Sequence, residues 1–184
     1  MAKKRDQSSR KGKEMNVLVL GIGNPILTDD AVGILVVRQL HDIDADVEEA
    51  SVGGLTLLDF ILGYDKVIIV DAVKRAKKNR NQRESKKESK KEKGSKPGTI
   101  SILTENEITR ALHASCTHDV SFSEAIELGK RLFPEEMPSE IVIVGIEVQD
   151  TETFSETPTP PVERAIPEAV VLVKKLCETL RLRP

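Results

Sequence analysis

The sequence predicts an α/β fold, a three-layer α/β/α arrangement around a mostly parallel, twisted sheet of about five strands flanked by helices. Three observations predict it. Short runs of Val, Ile and Leu (NVLVL at 16–20, KVIIVDAV at 66–73, EIVIVGIEV at 140–148) are almost continuously apolar, as strands covered on both faces are. Segments with apolar residues at helical spacing lie between such runs. Strands and helices alternate along the chain, which implies crossover connections and parallel pairing.

The elements follow in order. Residues 16–20 form the first strand and end at Gly21. GIGNPILTDD, 21–30, is a loop, with Gly, Asn, Pro and Asp at turn-forming places. Apolar residues at 32, 35, 36 and 40 then mark a helix over 31–40, which Asp29 or Asp30 can cap. A second strand spans 47–51, the pair Gly53-Gly54 breaks it, and a short helix covers 55–62. Residues 66–73 are the clearest strand and belong at the centre of the sheet. A fourth strand over 98–103 precedes a short helix at 105–112, capped by Thr104. A helix over 119–133 carries Val120, Phe122, Ala125, Ile126, Leu128 and Leu132 on its apolar side. The fifth strand is 140–148, the loop 150–161 is acidic and Pro-rich, and the longest helix starts at Val162 with one stripe through 165, 166, 169, 173, 176 and 180.

The chain has 184 residues, enough for one sizeable core. With no Trp and one Tyr, that core is aliphatic. The net charge of −2 hides an asymmetry: residues 1–15 carry +4 and residues 74–97 carry +9, leaving −15 on the rest. Residues 1–15 read as a basic disordered leader, and 16–184 as one domain with a basic low-complexity loop insertion at 74–97. The insertion is either a solvated loop or a device that steers an acidic partner surface. An acidic body argues against nucleic acid as a partner. Two cysteines, Cys116 and Cys177, make no disulfide framework, and there is neither a signal-like apolar segment nor a membrane span, so a cytoplasmic protein is expected.

In parallel sheets, sites form where loops leave the C-terminal strand ends, which directs attention to the loop after strand one and to Asp71 near the end of strand three. Gly21 and Gly23 resemble the start of a dinucleotide-binding loop. The third glycine is missing, however, since Ile26 stands there, and Asp29 and Asp30 would repel a pyrophosphate. Asp71 closes an apolar run, where a carboxylate is costly unless it is paired, hydrogen-bonded or metal-bound; alone, it reads equally well as a turn residue. His118, in Ser115-Cys116-Thr117-His118-Asp119, sits before a helix and alone reads as surface decoration. Cys116 has no clear activating partner. Taken together, two carboxylates and an imidazole make an oxygen/nitrogen site suited to a divalent ion such as nickel or zinc, with coordination positions left open. Such an ion polarises a carbonyl and acidifies bound water.

These residues also carry a family resemblance. From about Asn16 to the last helix, outside 74–97, the chain resembles the nickel–iron hydrogenase maturation endopeptidases. LVLGIGNPILTDDAVG matches the family's opening signature, IIVDAV its second site, CTHDVSFSEAI its third, and TPTPPVERAIPEAV its Pro/Thr loop entering the final helix. The resemblance implies a phosphorylase/hydrolase-like α/β fold and a metal-dependent endopeptidase acting without a Ser or Cys nucleophile. Its metal-binding and catalytic residues would be Asp30, Asp71 and His118. It further implies a monomer whose partner is a hydrogenase large-subunit precursor, with nickel supplied by that precursor and zinc or cadmium also suited to the site. Cleavage would remove the precursor's C-terminal extension. One departure stands out: Val52 precedes Gly53-Gly54 where the family usually has Asp. Two alternatives stand beside it, a nickel-sensing chaperone that uses the same three ligands and docks without cutting, and a nucleotide-binding protein built on Gly21 and Gly23.

Overall fold

The computed structural model describes residues 15–74, 96–103 and 122–182. Five strands form one sheet: β1 (Val17–Ile22), β2 (Asp46–Ala50), β3 (Lys66–Val73), β4 (Ile100–Leu103) and β5 (Glu140–Glu147). Their spatial order is β2-β1-β3-β5-β4, with every pairing parallel except β4 on β5. The three apolar runs occupy the three central places, which is why they tolerate no polar alternation. All of β1 is buried, and β3 is buried except at Ala72. The acidic β2, Asp46-Val47-Glu48-Glu49-Ala50, takes an edge, where charged side chains remain solvated.

Among the described residues four helices cover the faces: α1 (Val32–Val37), α2 (Leu57–Ile61), α3 (Phe122–Leu132) and α4 (Pro160–Leu182). The period-2 alternation of the strands sorts the core into two layers. Val19, Ile68, Val70, Val144 and Ile146 pack with α1 and α4 on one face. Leu18, Leu20, Val67, Ile69 and Ile143 pack with α2 and α3 on the other. The apolar stripe of α4 is buried at Val162, Ala165, Ile166, Ala169, Val173, Cys177 and Leu180. No helix among the described residues is long and apolar enough to cross a membrane.

Several expectations are corrected. The segment expected as a helix over 55–62 begins as a 3-10 turn at Gly54–Thr56 before α2. On α3, Leu128 and Leu132 face solvent, while Ala125, Ile126 and Gly129 form the buried stripe. Gly98 precedes β4 in a left-handed conformation (φ 83), so the strand expected from residue 98 starts at Ile100. Helix α4 starts earlier, at Pro160, because a proline in a first turn forgoes an N–H that has no intrahelical acceptor. The helix expected at 105–112, Cys116, His118, and all but the last residue of the leader lie outside the described residues, as do residues 75–95 of the insertion.

Candidate metal centre

The chain leaves β1 towards β2 on one side and later returns to place β3 on the other. The C-terminal ends of β1 and β3 therefore border the crevice where the strand order switches, the place where open α/β sheets bind ligands. Asp30 ends the first loop and Asp71 lies near the end of β3.

Glycines make this approach possible. A Cβ on Gly33 would meet the backbone oxygens of Ile22 and Val70, so only glycine lets α1 sit directly on β1 and β3. The close helix–strand contact that a dinucleotide loop obtains from its third glycine is obtained here from Gly33, three residues beyond Asp30. Gly23 takes φ 152, with its α-carbon against the Asp30 carbonyl, which folds the loop back on itself. The loop then binds its own end: the Asn24 N–H donates to Asp30 Oδ2 at 2.8 Å, and Asn24 Oδ1 accepts from the Ile26 N–H at 3.2 Å. The Ser51 hydroxyl donates to the Gly23 carbonyl at 2.8 Å, tying the turn to the end of β2. Val52 packs half-buried against the α2/α3 core layer and contributes no carboxylate.

Asp71 is 8 % exposed and stands opposite Gly145 of β5. Its Oδ1 accepts a hydrogen bond from the Ala72 N–H at 2.8 Å. Burial pushes the carboxyl up to about 7, the charge of Asp30 pushes the same way, and the Ala72 N–H opposes both. Two carboxyl groups thus share a crevice in which ionising both is unfavourable. This is the electrostatic condition that a divalent cation relieves, and the hard oxygen donors suit such an ion. Among the described residues no third His, Cys, Asp or Glu completes a metal-binding group; His118 lies outside them. Cys177 is buried in the α1/α4 layer, where desolvation holds its thiol up to about 11, so it is no nucleophile.

Asp29 was expected as one of two possible caps for α1. The cap position is Ala31, with no side-chain cap, and Asp29 does something else. It is 0 % exposed and accepts four hydrogen bonds from a segment more than a hundred residues away. These come from the N–H groups of Gln149 (3.1 Å), Asp150 (3.1 Å) and Thr159 (2.7 Å) and from the Thr159 hydroxyl (3.0 Å). The Asp29 N–H donates back to the Asp150 carbonyl at 3.0 Å. Asp29 therefore fastens the Asp30 loop to the Pro/Thr loop that enters α4. The adjacent acids Asp29 and Asp30 have the same chemistry, so nothing local in the sequence assigns one to the interior and the other to the crevice.

The family profile described as hydrogenase maturation protease (HycI) matches residues 92–176. The chain is 29% identical over 161 residues to the hydrogenase 2 maturation protease of Escherichia coli (strain K12), covering 85% of this chain and 87% of that protein. The solved hydrogenase maturating endopeptidase HybD from E. coli superposes with a TM-score of 0.66 at 27% identity, covering 90% of this chain and 93% of that one. The nickel–iron hydrogenase maturation protease HybD from Thermococcus kodakarensis shares the fold, with a TM-score of 0.60 at 20% identity, covering 89% of this chain and 99% of that one.

Proposed function

We propose that this chain is a hydrogenase maturation protease that cuts the C-terminal extension from a nickel-loaded large-subunit precursor of a nickel–iron hydrogenase, using Asp30, Asp71 and His118. The observation that carries the site assignment is the coupled pair Asp30 and Asp71 at the switch point of the sheet, with Asp71 buried and poised near neutrality.

Asp30 and Asp71 would hold the ion as carboxylates, with the His118 imidazole as the nitrogen donor. Nickel arrives as part of the substrate; when bound, it supplies Lewis-acid polarisation to a nearby carbonyl. The residues of this chain then do three things. Asp30, pinned through Asn24, presents a carboxylate whose direction is set before substrate arrives. Asp71 exchanges a proton near neutral pH, which suits a group that must yield its proton on metal binding or take one from water. The buried floor of β1 and β3 keeps water out of the crevice from below.

Purified protein is mixed with nickel-loaded and with nickel-free precursor, and the precursor mass is measured. Shortening of the loaded form alone is expected. An unshortened precursor in a stable complex would favour the chaperone alternative, and equal cutting of both forms would sink the role of nickel.

A further inference from the structure

We propose that Ile26 and Phe154, on two loops stitched together beside the Asp30 crevice, form a docking platform for a segment of the precursor that combines an apolar side chain with basic residues. The proposal rests on the peptidase reading above.

Phe154 is 76 % exposed and Ile26 55 %. Single exposed apolar residues are ordinary; here the two stand on loops that backbone pairing joins. Leu27 and Phe154 form an antiparallel bridge. The Thr28 N–H and hydroxyl both donate to the Thr153 carbonyl, at 3.0 and 2.7 Å. The Ser155 N–H donates to the Ile26 carbonyl at 3.2 Å. Asp29 clamps the two loops once more from beneath. The ordering that a flexible loop would need on binding is already complete, so apolar contact there converts to affinity with little entropic loss.

Two further observations choose the occupant. Ile26 and the Asp30 carboxylate are carried by one loop, which Asn24 closes on itself, so a segment reaching Asp30 meets the same loop that presents Ile26. Its surroundings are acidic. Asp150, Glu152 and Glu156 lie within four residues of Phe154, and beyond them Glu156 and Glu163 border a shallow groove floored by Leu35 and Ile166. An apolar platform inside a carboxylate rim fits a basic, partly apolar peptide and repels an acidic one.

Steady-state cleavage of precursor by the full chain tests this. The Ile26→Ser/Phe154→Ser variant is expected to raise KM about tenfold, as loss of an aromatic anchor does, with kcat changed by less than about twofold. Phe154→Leu should recover part of the loss. Glu152→Lys/Glu156→Lys should raise KM and abolish its rise with salt. An unchanged KM in the double Ser variant overturns the platform while wild-type cutting leaves the peptidase reading standing. A wild-type chain that neither binds nor cuts precursor overturns both. Self-association in sedimentation, lost in the double Ser variant while KM stays unchanged, assigns the patch to a second copy and overturns the proposal.

Discussion

At Asp71 the unfolded chain releases its proton near the ordinary 3.8 and the folded chain near about 7. Between these values the folded state holds a proton that the unfolded state has lost. Stability therefore falls as pH rises through this window, by at most about 1.4 kcal/mol per unit, and levels off above it. Asp71→Asn, which cannot ionise, should remove this component. Urea denaturation from pH 5 to 8 would show a smaller decline in the variant; equal declines would contradict the burial of the carboxyl. Asp29 contributes through hydrogen bonding, since its side chain accepts from three backbone N–H groups and a hydroxyl. Asp29→Ala strands those donors and should cost roughly 3–5 kcal/mol, the usual penalty for breaking a buried charged network. Asp29→Asn, which keeps one acceptor, should cost less. Chemical denaturation of the two variants checks the ranking.

The elements owe their placement to close contacts as much as to apolar pattern. Helix α1 has six residues, too few to be stable alone, and is held by burial of five of them against the sheet. Gly33 is the point of closest approach. Gly33→Ala drives a methyl into two backbone oxygens that cannot rotate away, and a loss of about 1–3 kcal/mol is expected. That variant should also lower cleavage, because the displaced helix begins where the Asp30 loop ends. If thermal melting and cleavage are both unaffected, α1 has room that the structure denies. The strands at 66–73 and 140–147 were legible because burial on both faces demands an unbroken apolar run. The misjudged face of α3 shows the limit of such reading. Leu128 and Leu132 keep helical spacing with the buried residues yet lie to one side of the stripe centred on Ala125 and Gly129. At Gly129 a side chain would strike Leu58 and Met137, so the smallest residue marks the buried face better than the largest.

For the whole molecule, cleavage should require Asp30, Asp71 and His118 together. Alanine at each is expected to abolish shortening of a nickel-loaded precursor while the circular dichroism spectrum and melting curve stay folded. Persistent trimming by the triple variant would remove these residues from the reaction. The charge layout carries a second expectation. Outside residues 1–15 and 74–97 the chain carries −15, and part of that charge, Asp150, Glu152 and Glu156, lies on the loop that carries Phe154. Hydrogen bonds from the Thr153 hydroxyl and from the N–H groups of Thr153 and Glu152 hold Asp150 below the usual carboxylate range, so it keeps its charge at neutral pH. The KM for precursor should therefore rise with ionic strength, measured between about 50 and 300 mM salt, over which the screening length falls from about 14 to about 6 Å.

By itself the sequence determined the layered α/β architecture, the central strands, and the two carboxylates worth watching, because apolar runs and the ends of parallel strands are local signals with a fixed geometric meaning. The resemblance had named Asp30 for the site, but only the tertiary structure decided what its neighbour Asp29 does. Asp29 finds its partners at Gln149, Asp150 and Thr159, and a hydrogen bond spanning 120 residues or more leaves no periodic trace in the chain. It also decided that Gly33 stands in for the glycine missing at position 26, and that Asp71 ionises near neutrality. A pKa depends on the surrounding dielectric and on neighbouring charge, and both are created only when β1 and β3 pair and bring Asp30 and Asp71 to one edge.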